Sequence, residues 1–310
     1  MAAGATTRER RYAALFYLCG DVRGADTAPL FAALEQDLVA SSWSRSRPSA
    51  FYIDAPGGAR RGVVRQWSVA VCDAIGPSNS GDARTLRAFL RWALDECPAD
   101  DYLLIFGGHG ILESPGEAIS ARRTFAVCDD YTASDSLELC ELCSVLRATF
   151  GRGRASRLQV LAFDMAAVQF LEVAYELRDV AATVVAEQPQ TAEHPSRRRP
   201  WDYRALLDAW DRRLGAASVE SMPALVRSLA ADAVDLAGRR PDTGTWSAVA
   251  LDALPSVIEA FDTLSAVLFQ WLSSDVVWEG RRRTYHRLHA HDDHVAWRRS
   301  RDLYSYDLAR

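Results

Sequence analysis

Two short apolar runs, each ending in residues suited to chemistry, restrict what this chain can fold into more than any other feature. Tyr102-Leu103-Leu104-Ile105-Phe106 leads into Gly107-Gly108-His109-Gly110, and Leu158-Gln159-Val160-Leu161-Ala162-Phe163 leads into Asp164-Met165-Ala166. A nearly continuous apolar run of five or six residues reads as a strand buried on both faces, as in a parallel sheet covered by helices. Candidate functional residues at the carboxyl ends of two such strands match the site layout of open α/β enzymes.

Further apolar runs predict strands at 13–18, 50–53, 63–67, 125–128, 183–186 and 246–251. Amphipathic spacing predicts helices over 29–40, 83–97, 136–150, 168–178 and 203–214, with Asp82 placed to cap the second. This alternation implies an α/β fold with a mostly parallel central sheet flanked by helices. From about Ser218 the pattern turns mainly helical (222–237 and 254–273) around the strand at 246–251. The expected division is therefore a core over 8–215 and a mainly helical C-terminal subdomain, with one strand, over 216–310.

The net charge of −5 excludes general affinity for nucleic acid, whose phosphates need a basic excess. No apolar stretch reaches the ~20 residues that span a bilayer, and the eight apolar residues after the polar segment 1–11 fit a first strand. A cytoplasmic protein without membrane contact is expected. Six cysteines lack the spacing of a disulfide scaffold, and Cys140 and Cys143 read as two cysteines one helical turn apart on a packed face. Asp129, Asp130, Asp135 and Glu138 lack the ordered ligands of a calcium loop, and the 286–294 histidines have arginine-rich flanks. No cofactor and no metal site is expected.

A histidine between glycines at a strand end suits a general base, because Gly107, Gly108 and Gly110 allow backbone and substrate to approach. The segment Phe163-Asp164-Met165-Ala166-Ala167-Val168 followed by Leu171-Glu172-Val173-Ala174-Tyr175-Glu176-Leu177 then resembles the clostripain family of caspase-like cysteine peptidases, the clan of caspases, gingipains and legumains. Supporting segments occur in the family's order: 98–102 leading to His109-Gly110, Gly81-Asp82, Asp129-Asp130, Trp201-Asp202-Tyr203, 246–251 and 302–304.

The resemblance implies a cysteine endopeptidase cutting proteins or peptides after Arg or Lys. His109 would be general base and acid, and Ala166 occupies the slot of the nucleophilic cysteine. The backbone N–H groups of Gly110 and residue 166 would form the oxyanion hole. Asp164, two positions before the nucleophile, would line the P1 pocket, and Glu187 could join it. A helix-capping role for Asp164 is the alternative reading of that residue. Family members cut themselves between histidine and cysteine, where Arg122-Arg123 falls, or are switched on by another protease. In bacteria such peptidases act in signalling or defence cascades. Calcium dependence occurs in clostripain itself.

Departures from the family pattern gather at Met165, Ala166, Ala167, Val168 and Gln169. With alanine at 166 the chain is expected to be inactive by a covalent route. The retained surroundings favour a peptidase whose nucleophile has been replaced. The alternative is a natural pseudopeptidase, a peptide-binding or scaffold module. A serine hydrolase or nucleotide-binding protein is disfavoured, since no GxSxG or phosphate-cradling glycine motif occurs.

Overall fold

The structure, a computed structural model, describes residues 10–22, 25–26, 33–55, 57–108, 110–111, 125–165, 168–188, 201–216, 221–239 and 245–273. In chain order its elements are β1 (Tyr12–Cys19), β2 (Asp21–Val22), β3 (Ala25–Asp26), α1 (Leu34–Ala40), β4 (Ser49–Asp54), β5 (Ala59–Arg65), β6 (Ser68–Gly76), α2 (Ala83–Glu96) and β7 (Asp101–Gly107). They continue with β8 (Gly110–Ile111), β9 (Ala126–Asp130), β10 (Asp135–Glu138), α3 (Leu139–Phe150), β11 (Arg157–Asp164), α4 (Leu171–Leu177) and β12 (Ala181–Glu187). The last are α5 (Tyr203–Ala216), α6 (Met222–Gly238), β13 (Trp246–Ala250) and α7 (Leu254–Ser273).

The central sheet has the order β13-β12-β11-β7-β1-β4-β5-β6. Its five middle strands, β12 to β4, are mutually parallel, while β13 at one edge and β5 and β6 at the other run antiparallel to their neighbours. The α/β class and the mostly parallel sheet agree with expectation. Every residue of β1, β4 and β7 is buried, which is why these strands are apolar without alternation.

Two different cores cover the faces. On one, Tyr17 stacks on Tyr52 at 4.7 Å and both meet Phe89 of α2, while Tyr102 packs on Phe150 of α3. On the other, Phe16, Leu18, Phe51, Ile105, Val160 and Val185 pack with residues of α1, α5 and α6, including Leu34, Trp210 and Leu229. Asp82 caps α2 as expected, its carboxylate accepting from the Arg84 N–H at 2.7 Å.

Several boundaries differ from the sequence reading. The strand expected at 63–67 ends at Arg65, and a two-residue turn at Gln66-Trp67 returns the chain as β6. Both turn residues have positive φ, 52° and 57°, the geometry of the tight hairpin turns that match strand twist. The helix expected from Ser136 begins at Leu139, because 135–138 pair with β9 as β10. The division expected at 215/216 is not where the packing breaks. β13 completes the central sheet beside β12, α6 lies in the same core, and one compact unit takes in Met1–Leu112 with Phe125–Leu251. The second unit takes in Glu113–Thr124 with Asp252–Arg310, and its described part is chiefly α7. Among the described residues, no helix is long and apolar enough to cross a membrane.

Candidate active site

The parallel register of β7 and β11 aligns the two strand tips singled out by the sequence. Gly107 lies opposite Asp164, and the Gly108 N–H donates to the Asp164 carbonyl at 3.4 Å. Positions 109 and 166 each follow two residues after this matched pair. His109 and Ala166 themselves, with Arg122 and Arg123, lie outside the described residues. Gly110 opens β8 and pairs with Val127 of β9.

Gly108 must be glycine for two reasons. Its φ is +142°, and a Cβ there would fall 2.6 Å from the Cys19 carbonyl oxygen and 3.1 Å from the Cys19 Cβ. The backbone at the tip of β7 can therefore lie directly against β1. Cys19 is no substitute nucleophile: it is fully buried, and burial holds its thiol well above the ordinary range.

Asp164 is 4% exposed, and its Oδ2 accepts from the Trp201 N–H at 2.7 Å and from the Tyr203 hydroxyl at 2.9 Å. The carboxylate thus anchors the chain entering α5. It is not the cap of the helix that follows it, α4, whose N-cap position is Phe170 with no side-chain cap hydrogen bond. Glu187, 6% exposed, ends β12 opposite Trp246, and its carbonyl accepts from the Gln169 N–H at 3.0 Å. Ala162 pairs with Val185, so two-residue alternation sets Asp164 and Glu187 abreast on neighbouring strands and on the same sheet face. Trp201 and Trp246 meet edge to face on that face, their centroids 5.1 Å apart. The Trp201 indole N–H and the Gln169 side-chain oxygen are buried and make no hydrogen bond among the described residues.

The family resemblance includes the segments containing Trp201, Tyr203 and Trp246 but assigns none of these residues a role. Their approach to the carboxylates depends on long-range packing. A cavity of about 680 Å³ opens elsewhere, lined by Tyr52, Arg61, Asp73, Ser78 and Phe89 among others, and contains none of the expected site residues.

The Cys140/Cys143 pair does not share a packed face: Cys140 is exposed and Cys143 buried. Both thiols are pushed up chiefly by burial, Cys143 to about 12, which disfavours the thiolates that metal binding or redox exchange would use. Among the described residues no group of three or more His, Cys, Asp or Glu is placed to hold a metal. The 286–294 histidines lie outside the described residues.

The clostripain-family (peptidase C11) sequence profile matches residues 65–273, which include both strand tips and both carboxylates. The chain belongs to the clostripain family. Clostripain-family relatives also share its fold. An X-ray structure of a secreted C11 cysteine protease from Bacteroides thetaiotaomicron, in complex with an irreversible peptide inhibitor, superposes with a TM-score of 0.59. It is 18% identical over 81% of this chain and 68% of its own. An inactive zymogen C11 protease from Parabacteroides distasonis gives a TM-score of 0.52 at 18% identity, over 80% of this chain and 64% of its own. This clostripain-family chain thus spans about two thirds of the length of these structural relatives. No curated protein matches it.

Proposed function

We propose that this chain is a clostripain-type cysteine endopeptidase specific for Arg or Lys at P1, present with its nucleophile position occupied by Ala166 and therefore inactive. The observation that carries the reading is the pair Asp164 and Glu187, two buried carboxylates abreast on the face of the sheet beside the tip that leads to position 166. Such a pair suits a guanidinium, which binds carboxylates through charge-assisted and bidentate hydrogen bonds.

In this reading His109 takes the proton from a thiol at position 166 and returns it to the leaving amine. The N–H groups of Gly110 and residue 166 stabilise the oxyanion. Backbone donors survive an alanine at 166, so peptide binding persists without chemistry. Substrates are proteins or peptides with a basic residue at P1. Self-cleavage near Arg122-Arg123, or cutting by an activating protease, belongs to the same proposal, as do a place in a bacterial signalling or defence cascade and a cytoplasmic location. The inhibitor-bound Bacteroides relative and the Parabacteroides zymogen are consistent with peptide recognition and latency in such folds.

The test is Ala166→Cys assayed with fluorogenic peptides ending in Arg, Lys or Leu. Turnover of the basic peptides over the Leu peptide, with cleavage near Arg123 on denaturing gels, is expected. A folded but inert variant overturns the peptidase reading. Micromolar binding of the Arg peptide by that inert protein would instead favour the pseudopeptidase, which the alanine itself recommends.

A further inference from the structure

Apart from the Asp164–Glu187 pair, the cavity of about 680 Å³ lies between α2 and the outermost strand of the sheet, β6, inside the first compact unit. Its floor is one row across three strands: Tyr52 of β4 is level with Arg61 of β5, and Arg61 with Asp73 of β6. Thr85, Ala88 and Phe89 of α2 line it opposite, and the rings of Phe89 and Tyr52 meet with centroids 6.0 Å apart. A cleft of this volume lies within the range that holds ligands. The polar groups of the floor already have partners. Arg61 Nε donates to the Asp73 carboxylate at 3.1 Å, its guanidinium lies 4.4 Å from the Trp92 ring centre, and the Tyr52 and Ser78 hydroxyls hydrogen-bond at 2.9 Å. The space between Ile75, Ala88 and Phe89 therefore takes an apolar group without leaving a buried charge unpaired.

The wall that β6 supplies also carries a free backbone edge. Among the described residues no strand pairs with its outer side. In its pairing with β5 it holds one extra residue between Val69 and Val71 and another between Ala74 and Gly76, so only Val71–Ala74 is regular strand. Such bulges twist an edge away from long sheet-to-sheet pairing, which disfavours a second copy of this chain and leaves room for a short peptide. The rim adds charge. Arg84, Arg87 and Arg91 are exposed along one side of α2, with Ala88 between them. Arg84 pairs with Asp82, whereas Arg87 and Arg91 pair with no carboxylate among the described residues, so the rim is net positive in a chain of net charge −5.

We propose that this cavity is a docking site for an extended peptide with one large apolar side chain between acidic flanks. The peptide adds to the edge of β6 along Val71–Ala74, sets its apolar side chain against Ile75, Ala88 and Phe89, and lays its carboxylates beside Arg87 and Arg91. Strand direction ties the site to the rest of the sheet. β7, β1 and β4 are parallel and the chain reverses at β5 and again at β6, so the end of β6 shares the carboxyl edge with the tip of β7. Four strand spacings of ~4.8 Å separate them, a span of about six extended residues. The docking does not rest on the peptidase reading; with it, the docked segment belongs to the substrate, about six residues from the bond to be cut.

The test uses the full-length chain and three short fluorescein-labelled peptides free of arginine and lysine, so that none suits a basic P1 pocket. The first has threonine and valine on each side of a central phenylalanine and glutamates at both ends. The second has glutamine for every glutamate, and the third has alanine for the phenylalanine. By fluorescence anisotropy the first should bind with a Kd of about 10–100 µM. The second should bind roughly fivefold more weakly, with the difference closing at high salt, and the third at least about tenfold more weakly. No saturation by the first peptide below about 1 mM, or equal affinity for the first and third, overturns the proposal.

Two variants locate the binding. Ala88→Trp fills the cavity from the exposed side of α2 and should weaken the first peptide at least about tenfold. Ile75→Asp, at a position 42% exposed, serves if Ala88→Trp does not fold. Unchanged binding by a folded variant overturns the cavity as the site. Hydrogen exchange reads the strand addition: the peptide should raise the protection of amides within Val71–Ala74, and no change at saturation overturns it. If sedimentation shows a dimer of the parent chain that Ala88→Trp dissociates, the occupant is a second copy and the peptide proposal fails. None of these measurements uses catalysis or position 164, so failure of the peptidase reading leaves them unchanged.

Discussion

Replacing Asp164 separates two jobs that its position gives it. The carboxylate is buried and one oxygen, Oδ2, accepts from both the Trp201 N–H and the Tyr203 hydroxyl, so it ties the tip of β11 to the start of α5. In the proposed function the same group recognises a basic P1 side chain. Asp164→Asn keeps an acceptor oxygen where both donors point and removes the charge. Because hydrogen bonds to a charged acceptor are worth about 1 kcal/mol more than neutral ones, stability should fall by only about 1–2 kcal/mol. Asp164→Ala leaves two buried donors without an acceptor, at about 1–3 kcal/mol each, and a loss of roughly 2–5 kcal/mol is expected. Tyr203→Phe removes one donor together with its need for a partner, and should cost about 1 kcal/mol. Binding of an Arg-terminated peptide should follow a different order. Asp164→Asn should weaken it by about 10–100-fold, the equivalent of one charge-assisted bond, whereas Tyr203→Phe should change it by less than threefold. Urea unfolding and fluorescence anisotropy on the same preparations give both series. If Asp164→Asn binds the Arg peptide as tightly as the parent chain, the anchor role is wrong. If Asp164→Ala unfolds within 1 kcal/mol of the parent, the strut reasoning is wrong.

Two further substitutions test the scaffold. Asp82→Ala removes the acceptor for the Arg84 N–H at the start of α2 and should cost about 1 kcal/mol, read as a lower urea midpoint with unchanged slope; no shift would mean that the cap is idle. Gly108→Ala forces a side chain into a φ of +142° and to within 2.6 Å of the Cys19 carbonyl, so a loss of at least about 2 kcal/mol is expected, together with weaker peptide binding. A variant as stable as the parent would show that β7 and β1 are less tightly apposed than described.

What the sequence revealed and what it hid follow from how each element is buried. Strands β1, β4, β7, β11 and β12 lie between two helical layers, so apolar side chains are needed on both faces and the runs are visible by inspection. Strand β6 lies at the sheet edge with most of its residues partly or fully exposed, and the turn before it carries Gln66-Trp67 instead of the Asn-Gly or Asp-Gly that signals such a hairpin. Both omissions come from weak burial and from a turn whose positive φ values are imposed by the sheet. The start of α3 differs from the expected Ser136 for a related reason. Ser136 and Leu137 fit a helical period, yet pairing with β9 takes them as strand, and the helix begins only where the Glu141 carboxylate can accept from the Glu138 N–H.

The candidate site was legible in one dimension only. Each strand tip could be read from its own run, because the residue that follows a buried parallel strand emerges at the sheet's carboxyl edge. The register that brings Gly107 level with Asp164 is set by pairing over the length of β7 and β11, including an irregularity between Leu158 and Val160. A slip of one residue there would turn Asp164 to the opposite face, away from Tyr203 and from the face it shares with Glu187. The same dependence explains why the roles of Trp201 and Trp246 were hidden. They meet only because β13 pairs with β12 in antiparallel register while the backbone of Trp201 is held by Asp164. In this fold the pairing of β11, β12 and β13, not any single segment, sets Asp164, Glu187, Trp201 and Trp246 side by side, so no one stretch of the sequence displays them together.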